Sequence, residues 1–212
     1  MTDAWILLGI MLVLLLGTGV GAIIFNLKLS QKVIEQFKKL GNHYGLEITI
    51  PKRTMGGLYQ RNPTLYGDYE GREMSIYPRG YGMDNTRQTD IAIRLMTKAP
   101  KDFAFTFAKR NALAKLGQTA RLKPCETGDA DFDNAFSLRS NNPGAAKALF
   151  GEELRKRIVC EWSAESGFLS LRDRTLAYEE LGLPREDNER AHVEVIADLC
   201  LEIASEVDAF TG

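Results

Sequence analysis

The chain is poor in the residues that most often carry chemistry. It holds 3 cysteines and 2 histidines in 212 residues. An odd cysteine number does not suit a closed disulfide framework, and neither His43 nor His192 has another His or Cys at metal-ligand spacing. Charge of one sign is lacking too: Lys+Arg of 27 against Asp+Glu of 28 give a formal charge of −1. No global positive field would draw such a molecule onto nucleic acid, so a nucleic-acid partner is not expected. G-x-S-x-G, Walker and kinase signatures are absent, which weighs against an enzyme. No residue is assigned a catalytic role, and no cofactor is expected. The composition, 44% hydrophobic and 26% charged, is that of a folded chain with room for one domain or two small ones.

What is present is strongly segregated. Residues 5–25, from Trp5 to Phe25, carry no charge. As a helix this stretch is roughly 31 Å long, matching a hydrocarbon core of about 30 Å, and a helix is the form that satisfies its own backbone in lipid. A cleaved secretory signal would begin with a basic segment, whereas Met1-Thr2-Asp3-Ala4 carries an acid. The pattern therefore predicts an uncleaved transmembrane anchor over residues 1–27. Lys28, Lys32, Lys38 and Lys39 follow the run and no cation precedes it. That asymmetry places the N-terminus outside and the C-terminal domain in the cytoplasm, at the inner membrane if the source is bacterial. Three unpaired thiols, Cys125, Cys160 and Cys200, suit the same reducing compartment, and their apolar neighbours predict buried packing roles. Gly17 and Gly21 share one helix face, where a homodimer or a partner helix would approach closely.

Leu29, Val33, Ile34, Phe37, Leu40 and Tyr44 recur at helical spacing, so an amphipathic juxtamembrane helix is expected over 28–45, ended by Gly41 and Gly45. Residues 46–212 then form the soluble domain. Period-two runs predict strands at 46–50, 64–69, 73–77, 91–95, 103–107 and 136–140. Hairpins are expected about Glu70-Gly71-Arg72 and Arg172-Asp173-Arg174, with strands 168–171 and 175–178 flanking the second. Asn142 and Pro143 open one helix running through Ile158, and a last helix spans about Asp187 to Phe210. Consecutive strands with short turns pair antiparallel, giving an α+β domain: a largely antiparallel sheet with helices packed on it.

Three features bear on function. Loops 52–63 and 78–88 are rich in Arg, Tyr and Gly, so Arg53, Tyr59, Arg61, Arg79 and Tyr81 form the expected protein-partner surface. Residues 98–123 are net +6 and residues 177–212 net −8. The basic stretch offers Lys109, Arg110 and Lys115 to join Lys28 and Lys32 against an anionic leaflet, unless the two stretches neutralise each other within the fold. Asp129, Asp131 and Asp133 alternate in a turn-like segment that would suit Mg²⁺ or Ca²⁺, although the full calcium-loop pattern fails at Asn134 and Ser140. The leading expectation is a single-pass membrane protein with a cytoplasmic binding or scaffold domain. The alternatives are a tethered metal-dependent hydrolase or transferase on the three aspartates, and an anionic-lipid-binding module.

Overall fold

The computed structural model describes residues 2–54, 56, 60–80, 89–110 and 122–211, and for most of residues 2–26 the backbone alone. The elements run α1 (Thr2–Tyr44), β1 (Glu47–Thr49), β2 (Thr64–Tyr69), β3 (Arg72–Gly80), β4 (Thr89–Met96), β5 (Phe105–Lys109), β6 (Lys123–Cys125), α2 (Ala130–Ala135), β7 (Phe136–Ser140), α3 (Pro143–Leu149), α4 (Glu152–Glu161), β8 (Phe168–Arg172), β9 (Thr175–Leu181) and α5 (Asp187–Thr211). Among the described residues the strands make one nine-stranded sheet in the order β1-β2-β3-β4-β9-β8-β5-β7-β6. Every pairing is antiparallel. The expected α+β class is what forms.

One core serves the whole domain, and it draws on one face of the sheet. Met74, Ile76, Ile91, Ile93, Leu95, Phe105, Phe107, Leu138, Leu169, Leu171, Leu176 and Tyr178 alternate with residues that stay out of it. The helices join the same cluster through Phe37, Leu40, Phe150, Ile158, Ile196, Leu199 and Ile203, among others. Phe107 is at its aromatic centre. Its ring stacks on Phe132 at 5.6 Å, Phe136 at 5.0 Å and Phe150 at 5.4 Å, and meets Trp162 edge-on at 5.0 Å. Such rings gain offset or edge contacts in addition to their buried area.

The amphipathic half of α1 is part of this core. Val33, Phe37, Leu40 and Tyr44 are buried in the shared cluster, as their spacing predicts. Gly41 permits the close approach, since a Cβ there would stand 3.0 Å from Leu65 Cδ2 and 3.1 Å from the Leu46 carbonyl. Gly45, at φ +65°, turns the chain out of the helix and into β1. The buried Tyr44 hydroxyl donates to Asp198 Oδ1 at 2.9 Å and lies 3.1 Å from the Glu194 carbonyl. Lys39 pairs with Asp187 at 2.8 Å and Lys32 with Glu186 at 3.3 Å, tying α1 to the start of α5.

Several expectations are corrected. The helix drawn from Asn142 through Ile158 is two helices. Asn142 caps α3 from its side chain to Ala145 N–H at 3.2 Å, but α3 ends at Phe150 and α4 restarts from Gly151. The break lets Phe150 turn fully into the aromatic cluster. Residues 122–135 hold β6 and α2, both too short for a period to show. Cys160 is exposed, unlike the buried Cys125 and Cys200. Among the described residues no helix is long and apolar enough to cross a membrane, so the span at residues 5–25 rests on the sequence. The backbone there is helical throughout, within the 43 residues of α1.

Truncating Phe107 to alanine is expected to cost about 3–5 kcal/mol, read from chemical denaturation. Loss of under 1 kcal/mol would show that the cluster is not the centre of the core.

Candidate functional site

The sheet face that the core leaves aside carries a polar assembly built across several strands. Pairing registers place Ser75, Arg94, Ala177, Ser170, Thr106 and Arg139 in one row running across six strands. Two arginines thus bracket a floor of small side chains. A cavity of about 600 Å³ opens over this floor, lined by Arg79, Arg94, Thr106, Phe168, Ser170 and Arg172 among others. That volume is within the range of small-ligand sites.

Its charges are unevenly satisfied. Arg79 pairs with Glu179, and Asp90, 4% exposed, has interactions of its own. The Arg94 guanidinium lies 5.0 Å from the centre of the Tyr77 ring and is exposed. Burial pushes the Tyr77 hydroxyl up from its ordinary pKa while Arg94 and Arg79 oppose the shift. Arg172 is exposed beside the hairpin tip. Among the described residues neither Arg94 nor Arg172 is in an ion pair. The same face holds three buried polar atoms without a hydrogen-bond partner: the Tyr77 hydroxyl, Thr106 Oγ1 and Arg139 Nε. The others among the described residues are on Ser30, Gln36, Trp162 and Arg190; unmade hydrogen bonds on buried groups cost about 1–3 kcal/mol each.

A second constellation joins β9, α5 and the loop after α4. His192 Nε2 is 2.8 Å from Glu180 Oε2, His192 Nδ1 is 3.3 Å from Ser163 Oγ, and the Tyr178 hydroxyl donates to the same Glu180 oxygen at 2.8 Å. With the Nε2 proton on Glu180, Nδ1 turns a lone pair to the serine, as in an acyl-transfer relay. The Ser163 N–H is spent on the Glu161 carbonyl at 2.9 Å, and none of the three residues lines the cavity. The arrangement acts as a clamp on the fold. The Glu180 hydrogen bond holds the His192 pKa above its ordinary 6.5, against the opposing effect of burial.

The expected partner and lipid residues scatter. Arg53 donates to Gln60 Oε1 at 3.2 Å on the surface, Arg61 is exposed before β2, and Arg79 is a strand residue in the cavity; Tyr59 and Tyr81 lie outside the described residues, as does Lys115. Lys28 is exposed. Lys32 pairs with Glu186, Lys109 with Glu165 at 2.7 Å, and Arg110 Nε donates to the Asp133 carbonyl at 2.8 Å. The acids of α5 are answered by α1, by Arg72 to Asp208 at 2.8 Å and by Arg157 to Glu202. Among the described residues, the ion pairs of α5 run through elements other than the basic stretch. A Cβ at Gly17 or Gly21 would meet nothing within 4 Å.

Two of the three aspartates are committed to local structure. Asp129 caps α2 through Phe132 N–H at 3.2 Å and faces Arg155 at 3.3 Å; the capping bond chiefly holds its carboxyl below the ordinary range. Asp133 accepts from Thr127 N–H and Oγ1 and from Gly128 N–H, each at 3.0 Å. Asp131 is exposed on the helix. Among the described residues no group of three His, Cys, Asp or Glu is placed to hold a metal ion.

Replacing His192 with glutamine tests the clamp. A pKa raised by folding adds stability below the unfolded value of 6.5 that is lost as pH rises through the folded value. The variant should therefore lose about 1 kcal/mol more at about pH 5.5 than at about pH 8.5. An equal loss at both, in denaturant titrations, would contradict the protonated pair.

No protein-family model matches the chain, and no curated protein matches it. Among solved structures it is similar to the mycobacterial trehalose monomycolate transport factor A, TtfA, at 11% identity and a TM-score of 0.50, over 81% of this chain and 93% of that one. At that identity the likeness speaks for the fold alone.

Proposed function

We propose that the chain is a single-pass membrane protein whose α+β domain works by binding, held at the cytoplasmic face by α1. The observation that carries this is the continuity of α1. The uncharged run 5–25 and the buried stripe Val33, Phe37, Leu40 and Tyr44 are on one 43-residue helix. From Asn26 to Val33 is about 10 Å along its axis. The domain would therefore sit close under the headgroups in a fixed orientation, with Lys28 at the lipid boundary.

Binding is favoured over catalysis because the Ser163 N–H is already bonded to the Glu161 carbonyl and Asp129 and Asp133 are engaged by local donors. The lipid-surface reading is the weaker one, since Lys32, Lys109 and Arg110 are already engaged.

Alkaline carbonate should leave the full chain in the membrane pellet, and the paired substitution Leu14→Lys and Leu15→Lys should release it, each lysine costing about 2.5–3.5 kcal/mol at mid-bilayer. Protease added to intact cells should spare the domain. Extraction of the unaltered chain by carbonate, or digestion of the domain from outside, would overturn the anchor or its direction respectively.

A further inference from the structure

Arg94 and Arg172 stand on β4 and β8, two strands apart across Ala177. Two strand spacings and one step of two residues put their Cα atoms about 12 Å apart, within the reach of two arginine side chains converging on one group. Between them lie Ala177, Ser170 and Thr175, lining the same cavity. Thr106 is 3% exposed, lines that cavity, and leaves its hydroxyl without a partner. Thr106 is on β5, next to Ser170 and one strand beyond Arg172, so its unpaired hydroxyl borders the cavity on the Arg172 side.

We propose that this cavity binds a small phosphomonoester, gripped between Arg94 and Arg172, with the Thr106 hydroxyl completing the contact. The proposal deepens the binding role argued above by naming the ligand class of the same domain. A carboxylate is satisfied by one guanidinium fork, whereas a phosphate dianion has three terminal oxygens and takes two forks and a hydroxyl together. The Arg94 guanidinium rests 5.0 Å from the centre of the Tyr77 ring on β3, on the side of β4 away from Arg172, so a ligand between the two arginines draws it across Ala177. Of the three lining acids, Glu179 is paired with Arg79, Asp90 has interactions of its own, and Asp173 belongs to the hairpin turn at φ +49°. Phe168 offers an apolar surface on the far side of the row for the uncharged part of the ligand.

The test is calorimetric titration of the full chain in nanodiscs with glucose 6-phosphate, with glucose and with vesicles containing phosphatidic acid. Saturable heat is expected from glucose 6-phosphate and none from glucose. The double variant Arg94→Ala with Arg172→Ala should weaken binding at least tenfold at an unchanged melting temperature, and Thr106→Val severalfold. Arg172→Ala alone, at an exposed position, makes the same test if the double variant fails to fold. No saturable heat from glucose 6-phosphate, equal heat from glucose, or binding unchanged in the arginine variants would overturn the proposal, and so would binding to the vesicles alone. A soluble sugar phosphate reads the cavity whether or not α1 enters the bilayer, so failure of the anchor and failure of the ligand class are told apart.

Discussion

The stripe of Val33, Phe37, Leu40 and Tyr44 on α1 closes one end of the core, and the domain depends on it. These residues cover β1 and β2, where Leu46 and Leu65 would otherwise face water. Tyr44 then locks the helix to α5 through Asp198, in surroundings where burial chiefly, and this carboxylate next, keep its hydroxyl protonated. A stalk that merely carried a domain would need no buried tyrosine at its end. The C-terminal half of α1 is thus an integral core element of the domain.

The second constraint follows from the sheet. Among the described residues, nine antiparallel strands with the helices joined to one core leave the other face mostly to polar and small side chains, Phe168 apart. Antiparallel sheets tolerate such a face, since alternation sends every second side chain to it. Here the alternation brings Arg94, Thr106 and Arg139 into a single row although they are on three strands separated by long sequence intervals. The acidic α5 does not repel the rest of the fold because its carboxylates meet Lys32, Lys39, Arg72 and Arg157 one by one.

Much of this was legible in the sequence where the signal is local. The α1 stripe, the hairpin of Thr64 to Tyr77, the hairpin turned by Asp173 and Arg174, and α5 from Asp187 all read from periodicity and punctuation. Residues 142–158 misled because the apolar spacing of Ala146, Leu149, Leu154 and Ile158 runs on across Gly151, where the backbone does not. The aspartates looked like ligands because their spacing says nothing of the Thr127 and Gly128 donors that consume Asp133. Neither the cavity nor the Ser163–His192–Glu180 clamp had a sequence signal. Both are made by tertiary register, and Arg79, read as a loop residue, proved to be a strand residue inside the cavity.

The most direct measurement compares the thermal unfolding of two shortened chains, residues 28–212 and residues 46–212, by calorimetry. If the second half of α1 belongs to the core, the longer chain unfolds in one cooperative transition and the shorter shows none, or one lowered by well over 10 °C, as loss of several buried side chains requires. Equal melting temperatures for the two would contradict the account, since α1 would then be a tether outside the fold.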